Sequence, residues 1–270
     1  MADRTGTFFW YELMTSDLHA ALTFYGDVVG WAHAPFAGDV GEPYYLLSNE
    51  AGPVGGIMAI PAEAKDCRMT PWWGGYVGSA DVDADVARLS AAGGSVKRAP
   101  EDIPGVGRFA VMSDPGGAIF MLMKGESDEE MEAASPMEPG QVGWHELYSG
   151  NFDADLGFYT GQLGWAKGDA MDMGPMGSYQ LVSQTGGTDM ADMSGGIMPR
   201  PEQVPVPAWL FYFNVGDIDA AVDRVKAGKG TVLQGPVEVP GGTWIVQAVD
   251  PQGAMFALAG CKGASEGEEA

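Results

Sequence analysis

A tryptophan two residues ahead of a glutamate occurs twice, as Trp10 and Glu12 in FWYEL (Phe9–Leu13) and as Trp144 and Glu146 in GWHEL (Gly143–Leu147). Both segments are apolar and aromatic enough to form strands, in which alternate residues share a face. Each pair therefore sets a carboxylate beside indole surface. Desolvation there raises a carboxyl pKa, which suits a general acid or base near neutral pH. The same glutamates could instead be hydrogen-bonded to backbone or to a tyrosine and simply hold their strands in register. His145 alternates to the face opposite Glu146, so the two do not form a metal-binding pair, and neither His19 nor His33 is assigned a role. Cys67 and Cys261 are the only cysteines; they stand in different halves with no CxxC or Cys/His spacing, and read as reduced thiols without a zinc site. Arg108 leads the penultimate strand of the first half and has no basic counterpart in the second, where Thr243 and Trp244 stand, which makes it a candidate ligand contact in the first half alone.

The elements around these residues repeat. FYGDVVGW (Phe24–Trp31) returns as FYTGQLGW (Phe158–Trp165) at an offset of 134 residues, the offset that also relates FWYEL to GWHEL. GGIM at Gly55 recurs at Gly195, and SDPGGAIF (Ser113–Phe120) matches VDPQGAMF (Val249–Phe256). Leu18, Leu22, Tyr25 and Val29 recur at helical spacing, with Ser16 as N-cap and Gly30 as the stop. Phe152, Leu156, Tyr159 and Leu163 reproduce the stripe. Short strands are expected near Tyr44–Leu47, Gly56–Ile60 and Trp72–Val77, then a helix carrying Val82, Val86 and Leu89 on one face. Strands near Ser95–Ala99, Arg108–Met112 and Ala118–Met123 complete the half. The fold class is thus α+β, with βαβββ modules occurring twice in each half. A four-stranded module buries only one face, so modules must pair, within a half or across halves, to close a cup.

With 270 residues and 46% hydrophobic content the chain can fill two cores without disulfides or metals. The expected division is 1–125 for the first domain, 126–139 for an acidic linker, 140–262 for the second domain and 263–270 for an acidic disordered tail. Fourteen basic against 37 acidic residues give a net charge of −23, which repels phosphate backbones and anionic lipid, so neither nucleic acid nor membrane is expected as a partner. No secretory leader or long apolar span is seen, and a cytoplasmic location is expected. Five methionines (Met171, Met173, Met176, Met190 and Met193) gather in a hairpin region of the second half, where they could cover an apolar ligand or pack on the neighbouring domain.

The run SDLHAALTFYGDVVGW, followed by ADVDADVARLSAAGG and SDPGGAIFMLM, resembles the glyoxalase/bleomycin-resistance/dioxygenase (vicinal oxygen chelate) superfamily, and the resemblance covers nearly the whole chain twice. It implies tandem domains, each a cup-shaped mixed sheet, with a divalent metal held by His or Glu from the first and last strands of each module. In this chain those positions fall on Trp10, Gly74, Met121 and the stretch 54–61 (VGGIMAIP), and on Trp144, Leu210, Ala257 and the stretch 193–199. None supplies an ordinary ligand set for zinc, nickel or iron, so no resident cofactor is expected. From Gly74 and Leu210, alternation turns Tyr76 and Tyr212 inward. The expected site residues are therefore Glu12 and Glu146 as acid/base groups, with Trp10, Tyr76, Met121, Arg108, Trp144 and Tyr212 as ligand contacts. The resemblance is consistent first with a metal-free lyase, isomerase or oxygenase acting on a small oxygenated or aromatic molecule, alternatively with a metal-free sequestering protein resembling the bleomycin-resistance proteins, and as a third reading with a scaffold whose cups have collapsed, in a monomer or homodimer.

Overall fold

In the computed structural model, residues 5–38, 43–61, 69–126 and 135–263 are described. The first half runs β1 (Phe8–Thr15), α1 (Leu18–Val29), β2 (Ala32–Pro35), β3 (Tyr44–Asn49), β4 (Gly52–Ala59), β5 (Trp72–Gly78), α2 (Val82–Ala91), β6 (Ser95–Ile103), β7 (Gly107–Ser113) and β8 (Ile119–Gly125). The second runs β9 (Val142–Ser149), α3 (Phe152–Gln162), β10 (Ala166–Asp172), β11 (Ser178–Ser183), β12 (Gly195–Pro199), β13 (Ala208–Asp217), α4 (Ile218–Ala227), β14 (Thr231–Glu238), β15 (Trp244–Val249) and β16 (Met255–Cys261). Cys67, most of the expected linker and nearly all of the expected tail lie outside the described residues; Cys261 is a free, exposed thiol.

Each half forms one eight-stranded sheet, ordered β2-β3-β4-β1-β5-β8-β7-β6 and β10-β11-β12-β9-β13-β16-β15-β14. Modules pair within a half: β1 runs antiparallel to β5 and β9 to β13, at the centre of each sheet. The helical crossovers make β1–β4, β5–β8, β9–β12 and β13–β16 parallel. One strand, β2, carries no apolar pattern; its four residues are exposed and it ends in Pro35, as an edge strand tolerates.

Helix ends follow side-chain chemistry. Asp17, not Ser16, caps α1, its carboxylate accepting from the Ala20 N–H at 3.1 Å, and Gly30 ends the helix with φ 92°, a left-handed conformation cheap only for glycine. Asp81 and Asp217 cap α2 and α4 in the same way.

The sheet faces turned away from the cups meet each other, and one continuous core passes through both halves, from Phe8, Tyr11 and Leu13 to Phe211, Phe213 and Phe256. The repeated motifs are its brackets. Tyr25, from FYGDVVGW, donates to Asp250 Oδ2 in the second half at 3.1 Å and accepts from Trp73 Nε1 at 2.8 Å. Tyr159 reciprocates with Asp114 Oδ2 at 3.1 Å and Trp209 Nε1 at 3.0 Å. The other oxygen of each aspartate folds its own turn, accepting from Gly117 and Ala118, or from Gln252, Gly253 and Ala254. Tyr11 and His145, which occupy equivalent places in the two copies, touch: His145 Nδ1–H donates to Ser194 O at 2.9 Å, leaving Nε2 to accept from the Tyr11 hydroxyl at 2.6 Å. Burial holds this imidazole neutral, with its pKa lowered to about 4.

Candidate functional site

Each sheet encloses a second, smaller hydrophobic cluster on its other face. In the first cup Tyr76, Phe109 and Met121 are buried, and Phe9, Trp10, Trp72 and Val111 pack against them. In the second, Tyr148, Tyr179, Leu210, Tyr212 and Ala257 are buried, with Trp144, Met171 and Met193 alongside. Glu12 and Glu146, 5% and 6% exposed, stand on these faces.

Glu12 lies in register between Gly56 of β4 and Gly74 of β5. Both glycines make room. A Cβ on Gly56 would collide with the ring of Tyr44, which crosses that strand to reach Glu12, and a Cβ on Gly74 would strike the Met121 methyl group. The Tyr76 hydroxyl donates to Glu12 Oε1 at 3.2 Å. Tyr44 accepts from Trp10 Nε1 at 3.0 Å and its hydroxyl faces Glu12. The indole N–H thus occupies a lone pair of Tyr44 and turns its O–H toward the carboxyl. Burial pushes the Glu12 pKa up to about 7, against the lowering effect of the two tyrosines and of the Arg98 charge. Arg98 itself lies 5.0 Å over the Phe109 ring and pairs with Glu101.

The second cup repeats the chain of contacts. Trp144 Nε1 donates to Tyr179 at 2.8 Å, Tyr179 donates to Glu146 Oε2 at 3.0 Å, and Tyr212 donates to the same oxygen at 3.2 Å. Gly196 makes the room for Tyr179 that Gly56 makes for Tyr44. The GGIM repeat thereby acquires a physical meaning: its second glycine lets a tyrosine lie across the sheet. Tyr148 also faces Glu146, and Gln247 Nε2 donates to its Oε1 at 3.3 Å. Burial raises its pKa, opposed by these four partners.

The structure brings Trp10, Glu12, Tyr76 and Met121 together, and likewise Trp144, Glu146 and Tyr212. It does not bring Arg108 to them. Alternation along β7 sends Phe109 and Val111 into the cup and Arg108 to the other face, where it pairs with Asp83 of α2 at 2.6 Å and with Asp102 at 3.0 Å. Tyr44, Tyr179, Tyr148 and Gln247 are missed by sequence reasoning. Aligning the repeats puts Tyr44 on Tyr179, which could have marked them; Tyr148 and Gln247 break the repeat and carry no such signal. Of the five clustered methionines, Met171 and Met193 pack on the second cup, whereas Met173, Met176 and Met190 are exposed.

Residues 7–122 and 141–258 each match the Glyoxalase/Bleomycin resistance protein/Dioxygenase superfamily, and the chain belongs to that family. Among its relatives, CFP32 of Mycobacterium tuberculosis, provisionally named a glyoxylase, is 30% identical over 257 residues, covering 94% of this chain and 95% of that protein. The anthracycline biosynthesis protein DnrV of Streptomyces peucetius is 30% identical over 267 residues, covering 92% of this chain and 91% of its own length. Among solved structures, the Mn(II)-bound glyoxalase from Novosphingobium aromaticivorans superposes with a TM-score of 0.66 at 19% identity, covering 95% of this chain and 82% of that one.

The residues present do not fit the divalent metal that this family implies. At the corresponding places stand the Trp10 indole, Gly74 and the Met121 thioether, whose methyl group fills the space over Gly74. In the second cup Leu210 and Ala257 exchange these volumes, the larger side chain now coming from the middle strand. One carboxylate among phenols and indoles offers too few hard or borderline donors for such an ion. Among the described residues no group of three or more His, Cys, Asp or Glu side chains is placed to hold a metal, and no helix is long and apolar enough to cross a membrane.

Proposed function

We propose that the first cup binds a small, flat, oxygenated aromatic molecule and that Glu12 exchanges a proton with it, as a metal-free isomerase or lyase requires. The observation that carries this reading is a single buried carboxyl, poised at about 7, set among Trp10, Trp72 and Phe109 and oriented by two phenols. A group titrating near the working pH both takes and returns a proton readily. The kinship with a protein of anthracycline biosynthesis supports a polycyclic phenol or quinone as the ligand class.

Stoichiometric capture without turnover is the second reading, favoured by the aromatic lining, which gives affinity without chemistry. Titration with 1,2-dihydroxyanthraquinone, followed by tryptophan fluorescence and by mass spectrometry of the ligand, separates the two. Saturable quenching with a chemically changed ligand supports the enzyme, quenching with an unchanged ligand supports capture, and the absence of quenching removes the aromatic-ligand reading.

A further inference from the structure

The two cups keep the same frame: Trp10 and Trp144, Tyr44 and Tyr179, Tyr76 and Tyr212, Gly56 and Gly196 occupy matching places. They differ in the groups that surround the carboxyl. Where the first half has Met14 on β1, the second has Tyr148 on β9; where the first has Val111 on β7, paired in register with Met121, the second has Gln247 on β15, paired with Ala257.

An ionised carboxylate offers about four lone-pair positions. Glu146 accepts from the hydroxyls of Tyr179 and Tyr212 and from the amide of Gln247, and the Tyr148 hydroxyl faces it as a fourth donor. Gln247 is further locked by donating to the Tyr212 hydroxyl at 2.9 Å. Glu12 meets two hydroxyls and the Arg98 charge, and the strand positions equivalent to Tyr148 and Gln247 carry Met14 and Val111, neither of which can donate. A carboxyl with spare acceptor positions can receive a ligand proton; one whose positions are filled cannot do so without breaking a buried network.

We propose that the cups have divided their roles: Glu12 is the proton-exchanging group of the chain, whereas Glu146 is a structural carboxylate that fastens four strands of the second sheet. This rests on the reading of the first cup given above. The step balances within the ligand: one C–H or O–H bond of the bound molecule breaks as Glu12 Oε–H forms, the electron pair stays on the ligand as an enolate or phenolate, and the proton returns at another ligand atom. No oxidant or co-reactant is consumed. Glu146 spans β9, β11, β13 and β15 through Tyr148, Tyr179, Tyr212 and Gln247.

Infrared difference spectroscopy of the full chain, with Glu12→Gln and Glu146→Gln to assign the carboxyl bands, tests the division. With fewer donors around it, and even with the Arg98 charge acting on it, the Glu12 band is expected to titrate above that of Glu146. Gln247→Val should move the Glu146 midpoint upward, and Val111→Gln should move the Glu12 midpoint downward, with circular dichroism establishing that each variant is folded. Addition of 1,2-dihydroxyanthraquinone should shift the Glu12 band alone. Coincident midpoints, or a ligand-induced shift of the Glu146 band, would overturn the division. Separate midpoints with neither band shifted by the ligand would uphold the division of the carboxyls and reject the ligand class instead.

Discussion

Tyr25 and Asp250 are 225 residues apart in the chain and join hydroxyl to carboxylate at 3.1 Å, with Tyr159 and Asp114 forming the mirror contact. The segments that most clearly reveal the duplication thus tie the copies together and do not line the cups. Tyr25→Phe leaves Trp73 Nε1 without its acceptor and Asp250 Oδ2 without its donor, at an expected cost of roughly 1–3 kcal/mol. Because the core is continuous, urea denaturation should show both halves unfolding in one transition, by near-ultraviolet dichroism and by backbone dichroism alike. Two separated transitions in the unsubstituted chain would contradict a shared core.

The buried titratable groups oppose one another with pH. His145 has its pKa lowered from 6.5 to about 4, so its neutral, bonded state contributes stability above pH 6.5 that is lost as pH falls toward 4. Asp114, raised to about 7 by burial and by the nearby Asp155 charge, acts in the other sense, as does Glu12. Their contribution is complete below their unfolded values near 4 and is lost as pH rises through 7. Between pH 4 and 6.5 the two acids outweigh the single histidine, so these groups together make stability fall as pH rises from 4 toward 7. Asp114→Asn should make the decline between pH 4 and 7 shallower in thermal melts across pH 4–8; an unchanged slope would remove Asp114 as a source of it.

Gly56→Ala should displace Tyr44 from its crossing of β4 and strip Glu12 of one of its two phenols, and Gly196→Ala should do the same to Tyr179. Overpacking at such a place costs about 1–3 kcal/mol. Loss of a donor raises the carboxyl pKa further, so the Glu12 midpoint in Gly56→Ala should move upward. A midpoint that does not move would separate Tyr44 from the carboxyl.

Metal addition offers a direct check on the donor set. An ion that binds the folded chain raises its unfolding temperature with concentration. Mn(II), Ni(II) or Zn(II) at millimolar levels should leave the melting temperature of this protein unchanged. A concentration-dependent rise, abolished by Glu12→Gln, would show that the cup recruits donors beyond those seen here.

The sequence reveals the duplication, the module order and the inward pairing of Trp10 with Glu12, because strand alternation and helical spacing are local signals. The edge strand β2 escapes because Ala32–Pro35 is exposed throughout and has no pattern to read. Arg108 is misdirected to the site because its charge stands alone in the repeat comparison, while the pleat of β7 sends it to Asp83. Tyr44 reaches Glu12 over the backbone of an intervening strand, a relationship that depends on sheet order and on Gly56 together. Neither is legible from spacing within one segment. Gln247 and Tyr148 distinguish the two cups only once the strands are placed side by side.

The central claim, that Glu12 is the proton-transferring acid of the first cup, is tested most directly by hydrogen–deuterium exchange into ortho-hydroxyaryl ketones in D2O. The account predicts that the wild-type chain accelerates exchange at the carbon beside the carbonyl and that Glu12→Gln loses roughly 100-fold or more of that rate while still quenching with the ligand. Exchange at the wild-type rate in Glu12→Gln would contradict it.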